Sequence, residues 1–256
     1  MASAIALRLH KANMRRVLMI DLCSPLAVRR EVSFSTSILQ GKQEIDSVFA
    51  QHVEQLEDIF LTWEKSGISV ITDVLWSAIR ARFSCDIFID ATLAKKNLGT
   101  TQKDAPLVIA LGPGFIAGKE VHLVIETHRG HNLGQIITSG SAEVNTGIPG
   151  NIAGYTTERV IRAPMSGTFT SQHQIGDLVR CGDIIGKVDD SPITSAIDGV
   201  LRGLIQSQIW VKKGIKLGDV DPRADVNYCY TISDKARTIS GSVLEAILSV
   251  FNAPKM

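Results

Sequence analysis

Three polar clusters in this chain hold the residue types that chemistry uses, and each is read as following an apolar run. The first is residues 90–101, DATLAKKNLGTT. Lys95 and Lys96 supply point charge, while Asn97, the threonine hydroxyls and the N–H groups freed near Gly99 supply directed donors. Together these suit an anion, and the alternative is a solvated loop. The second is residues 112–119, GPGFIAGK, where Gly112 and Gly114 let the backbone approach a ligand closely. The string is neither a Walker A motif nor GxGxxG, so it assigns no ATP site, and a tight structural turn explains it equally well. The third is residues 126–134, ETHRGHNLG. Glu126, His128, Arg129 and His131 are dense polar chemistry for a chain with 6 histidines. Glu126, His128 and His131 are candidate acid/base groups, and Arg129 and His131 are candidate ligand contacts. A structural Glu126–Arg129 pair is the competing reading. His128 and His131 lie three apart, but no third ligand is near in the sequence, so no metal is assigned. GxSxG, HExxH and a catalytic cysteine setting do not occur.

These clusters need strands to position them. Apolar runs at 17–21, 68–72, 86–91, 107–111, 121–126 and 133–138 read as strands, and 31–36 as a further strand-like run. Residues 2–11 read as a helix. Their lack of acids and their basic residues also mimic a transit peptide, but the apolar stripe of Ala4, Leu7 and Lys11 favours a helix feeding the strand at 17–21. Helical periodicity covers 47–65, and Asp73 is a good N-cap for a helix over 74–83. Alternating helices and apolar strands predict a Rossmann-like α/β domain over 1–150. Asp21, ending its strand, takes the place of a ribose-binding acid or simply caps the next turn. The strand and glycine-rich turn that would precede the first helix are missing, so this reading has the chain starting inside the unit, with Met1 an internal methionine.

The C-terminal third repeats. Residues 162–189 and 194–221 align without a gap at an offset of 32, matching Gly167 to Gly199, Gly182 to Gly214 and Gly186 to Gly218. A period near 30 with glycines at turns is a two-fold β-unit. It resembles the biotinyl/lipoyl-type barrel-sandwich module, expected over 158–225. A carrier of that type has a lysine at the tip between the halves. Here the tip is Val188-Asp189-Asp190-Ser191-Pro192-Ile193, with Lys187 inside a strand pattern, so no covalent biotin or lipoate is expected. A helical segment over 233–252 closes the chain.

Composition narrows the field. The chain has 256 residues, 45% of them hydrophobic, and a formal charge of +1 with its 27 basic and 26 acidic residues interspersed. That excludes an electrostatic footprint for nucleic acid. No apolar stretch reaches the ~18–20 residues of a membrane span. Four scattered cysteines fit a reducing compartment rather than a disulfide framework.

Several longer strings carry a family resemblance: SPLAVRREVSFS (24–35), IDATLAKKNLGTT (89–101), LGPGFIAGKEVHLVIETHRGHNLG (111–134), NTGIPG (145–150), RVIRAP (159–164), GVLRGLI (199–205), VKKGIKLGDVDPR (211–223) and ISDKAR (232–237). With these the chain resembles the accessory proteins of selenium-dependent molybdenum hydroxylase systems, from about residue 2 to the end. The resemblance implies a cytoplasmic factor that matures or inserts the molybdenum (molybdopterin) cofactor, with selenium as a further cargo. Its implied partners are the molybdenum hydroxylase apoenzyme or other maturation proteins. Family members begin with a strand and glycine-rich turn, and this chain departs there. Taken together, the expectation is a non-hydrolytic factor holding a nucleotide or molybdopterin-type ligand through Lys95, Lys96, Asn97, Gly112 and Gly114. The alternative is a nucleotide-dependent transferase or oxidoreductase acting on the cofactor.

Overall fold

The computed structural model describes residues 1–75, 78 and 83–253. Sixteen strands among them are β1 (Leu18–Asp21), β2 (Lys42–Ile45), β3 (Val48–His52), β4 (Ile68–Thr72), β5 (Ile87–Asp90), β6 (Leu107–Leu111), β7 (Leu123–Ile125), β8 (Ile136–Ile137), β9 (Val160–Arg162), β10 (Gly167–Thr170), β11 (Leu178–Val179), β12 (Ile184–Val188), β13 (Ser191–Thr194), β14 (Gly199–Leu204), β15 (Ile209–Val211) and β16 (Lys216–Asp221). They form four four-stranded sheets, in the orders β1-β4-β3-β2, β5-β6-β7-β8, β13-β12-β10-β15 and β11-β14-β16-β9.

The first two sheets share a first helix, Ala2–Lys11. Seven of its ten residues are buried, which a helix lying on one sheet would not require. Ile5 and Leu9 pack with Leu107, Ile109 and Leu111 of β6 and Ile125 of β7. Ala6 and Leu7 turn the other way, onto Phe34, Ile68 and Val70. The helix is therefore a filling between two sheets. β6 reads LVIAL because both its faces are covered: the closing helix, Asp234–Phe251, supplies Ile239, Val243 and Ile247 on one side, and Phe115, Ala117 and Val121 pack with Val108 and Ala110 on the other.

This arrangement corrects the sequence expectation of a Rossmann-like domain followed by a biotinyl/lipoyl-like barrel-sandwich domain. Instead of one doubly wound sheet, the N-terminal part has two separate sheets, each with three strands in parallel and an antiparallel edge strand. The physical cause is the hairpin β2–β3, which the helical reading of 47–65 overlooked. It fills the far edge of the first sheet, and only Leu56–Glu64 is helical there. Residues 31–36 form the 3-10 turns Arg30–Val32 and Phe34–Thr36 rather than a strand. The helix expected over 74–83 falls largely outside the described residues; Asp73–Leu75 is a 3-10 turn. The closing helix runs from Asp234 to Phe251, and Ser233 caps it by accepting from the Ala236 N–H.

In the C-terminal part the repeat has a structural counterpart. At the 32-residue offset β10, β11 and β12 correspond to β14, β15 and β16, and β13 corresponds to β9. The order β13-β12-β10-β15 then maps onto β9-β16-β14-β11, so each sheet draws strands from both copies. The shared core follows the same rule: Ile161 and Ile193, Phe169 and Leu201, Val179 and Val211, Ile185 and Leu217, Val188 and Val220 are equivalent pairs in one cluster. Gly182 and Gly214 turn at φ +91° and +82°, a left-handed conformation that favours glycine.

Candidate functional site

β5, β6 and β7 run parallel, so Asp90, Leu111 and Ile125 end at one edge of the sheet. The three polar clusters are the loops leaving that edge. Ligands in open parallel sheets bind outside the carboxyl ends of strands.

The first loop is locked from within. Asp90 is buried; its Oδ1 accepts from the Thr92 N–H at 3.0 Å and hydroxyl at 2.7 Å, and its Oδ2 from the Thr100 hydroxyl at 2.7 Å. Asn97 does the same one turn out. Its Oδ1 accepts from the N–H groups of Gly99 and Thr100, both at 2.8 Å, and its Nδ2 donates to the Thr100 carbonyl at 2.9 Å. The Asn97 side chain is therefore spent on the loop, and its expected role as an anion contact is corrected to that of a brace. Lys95 and Lys96 stay exposed. Lys95 adopts φ +62°, held by the second loop: a Cβ on Gly114, itself at φ +109°, would lie 2.5 Å from the Lys96 nitrogen. Gly114 is thus a glycine because two backbones touch there. Gly112 meets the third loop, where a Cβ would lie 2.4 Å from the Thr127 hydroxyl.

Glu126 is buried, and both its oxygens are occupied by backbone donors: the His128 N–H at 2.6 Å and the Glu143 N–H at 2.7 Å. It is a tie between the third loop and the segment before the repeat. The structural Glu126–Arg129 pair is not formed. Arg129 instead makes a two-pronged ion pair with Asp234, at 2.6 and 3.2 Å, at the start of the closing helix. That contact raises the Arg129 pKa and holds Asp234 far below the ordinary carboxylate range. His128 stands 4.0 Å from Glu143, and His131 is exposed.

Lys95, Lys96, Gly112 and Gly114 are therefore brought together, while Arg129 is turned towards the closing helix. A residue missed in the sequence joins the lysines. Asn145, with its amide oxygen facing the donors, accepts from Lys95 Nζ at 3.0 Å and from the Gly147 N–H at 3.2 Å. The NTGIPG string reads as a linker, and only its Asn-Thr-Gly opening hints at a turn with its own hydrogen bonds. Also missed were Arg29, Arg202, Arg223 and Arg237, which line one cavity.

The edge is thus a shallow, basic platform of two exposed lysines backed by glycine-permitted backbone. It offers positive charge but no acid/base pair at the lysines, and the Gly112 N–H is taken by the Ile125 carbonyl at 2.8 Å. No family model matches the chain. It is 42% identical over 251 residues to the uncharacterized protein YqeB of Escherichia coli (strain K12). That match takes in 98% of this chain and 46% of YqeB, so the chain spans about half the length of the curated relative it matches. Among solved structures it is similar to an aspartoacylase family protein from Mesorhizobium loti, at 16% identity over 33% of this chain and 32% of that one, with a TM-score of 0.24. A succinylglutamatedesuccinylase/aspartoacylase from Rhodobacter sphaeroides follows at 23% identity, 33% and 29% coverage and a TM-score of 0.23. Likeness at that level says nothing of activity. The four-sheet arrangement is not the Rossmann-like and barrel-sandwich hybrid, biotinyl/lipoyl-like architecture expected from the sequence. None of these descriptions speaks of molybdenum or selenium, so that reading rests on the sequence resemblance alone. No helix among the described residues is long and apolar enough to cross a membrane.

Proposed function

We propose that the chain serves the maturation of selenium-dependent molybdenum hydroxylases, binding an anionic nucleotide or pterin-type ligand at the β5–β7 edge and docking a protein of that pathway. The observation that carries the ligand half is the meeting of Lys95 and Lys96 with the Gly112–Gly114 turn at the carboxyl ends of three parallel strands. Exposed ammonium groups favour phosphate oxygens over neutral ligands. The pathway half is supported by the long strings shared with the accessory family, three of which form this edge. The partner is the hydroxylase apoenzyme or another maturation protein, met in the cytoplasm. The enzymatic alternative has no observation of its own, since its buried acid candidate, Glu126, has both oxygens engaged.

The test is a Lys95→Ala/Lys96→Ala double variant. Both side chains are exposed, so the variant is expected to melt within a degree or two of the parent. A molybdopterin cytosine dinucleotide preparation at about a hundred times its Kd is expected to stabilise the parent by about 2.7 kcal/mol. That shift is expected to vanish in the double variant, together with maturation of the hydroxylase in a host lacking the natural gene. A folded double variant that matures the enzyme at the parental rate would overturn the proposal.

A further inference from the structure

A second basic site lies away from the lysine edge. A cavity of about 320 Å³ opens between the segment before Arg30, the outer face of β14 and β16, and the start of the closing helix. Four arginines line it: Arg29, Arg202, Arg223 and Arg237. The acids within reach do not balance them. Asp221 serves Arg202 at 3.0 Å and Arg223 at 2.6 Å. Asp219 is shared by Arg202, Arg159 and Lys216. Asp234, on the cavity wall, is held by Arg129. Arg29 and Arg237 have no carboxylate among the described residues. Arg237 donates to the Ile232 carbonyl. Arg29 donates only to carbonyls, those of Tyr228 at 2.6 Å, Thr231 at 3.0 Å and Cys229 at 3.3 Å, and its Nε is buried without a partner among the described residues.

A half-buried guanidinium with no carboxylate in direct contact, next to three more, is a costly arrangement unless an anion completes it. Burial first, and the neighbouring Arg202, pull the Arg29 pKa down to about 10 against the opposing pull of Asp219 and Asp221. The geometry also favours a particular anion. Planar guanidinium forks match the paired oxygens of phosphate. The cavity wall includes Ser233 and Asp234, the cap and first residue of an 18-residue helix, so the positive end of its dipole adds to the same field. Tyr228, stacked under Arg223 at 4.3 Å, fixes that fork on one side.

We propose that this arginine cavity is a binding site for a phosphate group, either free or as the terminal group of a small phosphate ester. Its volume sits at the small end of ligand sites and suits a phosphate ester of modest size. The proposal stands apart from the ligand site at Lys95 and Lys96 and does not rest on it.

The experiment is thermal-shift titration and calorimetry of the full chain in 0.1 M sodium chloride, where surface charge is largely screened. The probes are inorganic phosphate, pyrophosphate and cytidine monophosphate. Saturable stabilisation by at least one is expected. Binding of the monophosphate ester tighter than that of free phosphate identifies the ester as the source, and the reverse order identifies the free ion. Arg237→Ala, at an exposed position, is expected to fold and to weaken binding tenfold or more. Arg29→Gln is expected to abolish it. If Arg29→Gln fails to fold, Arg237→Ala decides the question alone. The Lys95→Ala/Lys96→Ala variant is expected to keep the phosphate shift, which separates failure here from failure of the lysine-edge proposal. No saturable shift with any probe would overturn the proposal. So would an undiminished shift in Arg237→Ala, or loss of the shift in the lysine variant.

Discussion

The two sheets of the repeat share a backbone and a core and differ in what their outer faces carry. In the sheet of β14 and β16, Arg202, Lys216 and Asp219 form a buried charge cluster with Arg159 and Asp221. At the equivalent positions of the other sheet stand Thr170, Ile184 and Lys187. Ile184 is 61% exposed, and Lys187 is exposed too. The first face is covered by the rest of the chain: a Cβ on Gly203 would lie 2.8 Å from Val28 and 3.2 Å from the Arg29 side chain. The difference teaches that the internal core of a repeat constrains only half of each strand. The outer half is free to become an intramolecular interface in one copy and open surface in the other.

The sharpest way to break the comparison is at Asp219. Asp219→Ala leaves Arg159, Arg202 and Lys216 buried or half-buried without their shared acid, and is expected to cost about 3–5 kcal/mol. Lys187→Ala, its counterpart, touches no such partner and is expected to stay within about 0.5 kcal/mol. Urea midpoints of the two variants measure the contrast directly. Equal midpoints would mean that the charge cluster contributes nothing beyond surface salt.

Gly203→Ala tests the same interface without changing charge. Its counterpart, Ser171, carries a side chain that donates to the Ile185 carbonyl at 2.5 Å and accepts from the His173 N–H at 3.0 Å. At 203 the added methyl pushes into Val28, and a loss of about 1–3 kcal/mol is expected. Loss of the phosphate-dependent shift in the same variant would follow, because Arg29 must move with Val28.

Acid sharpens the comparison from the solvent side. Burial pushes the Asp219 carboxyl up, but Lys216, Arg202 and Arg159 outweigh it and hold its pKa below the ordinary value. Asp221 is likewise held down, by Arg223 and Arg202 against the cost of burial. Both carboxyls therefore bind protons less readily folded than unfolded. Their stabilisation is present above the unfolded value near pH ~4 and is lost as pH falls through the folded values, at about 1.4 kcal/mol per unit of depression. Circular dichroism against pH is expected to show an acid limb that flattens in Asp219→Asn.

What could be read from the sequence follows the same divide. The repeat was readable because its glycines recur at one offset, and inward apolar positions are fixed by local alternation. The polar loops after β5, β6 and β7 were readable because apolar runs announce strand ends. Pairing was not readable, since nothing local distinguishes β2–β3 from a helix with apolar residues at Val48 and Val53. Asn97 looked like a ligand contact because composition does not show which way a side chain turns. The arginine cavity was hidden because its members run from residue 29 to residue 237, and only the docking of the N-terminal segment on β14 assembles them.

The smallest effect is expected where the two sheets agree. Leu178 of β11 and Trp210 of β15 are equivalent, and they are 69% and 60% exposed. Each lies on a short edge strand that pairs on one side only. Leu178→Ser and Trp210→Ser are each expected to shift stability by less than about 0.5 kcal/mol, since neither removes a buried contact. Both expose less apolar surface, so the double variant is expected to stay monodisperse at higher concentration by light scattering. A cost confined to Leu178→Ser would extend the covered face of its sheet out to β11. The asymmetry between the sheets would then reach beyond the charge cluster to the edge of the fold.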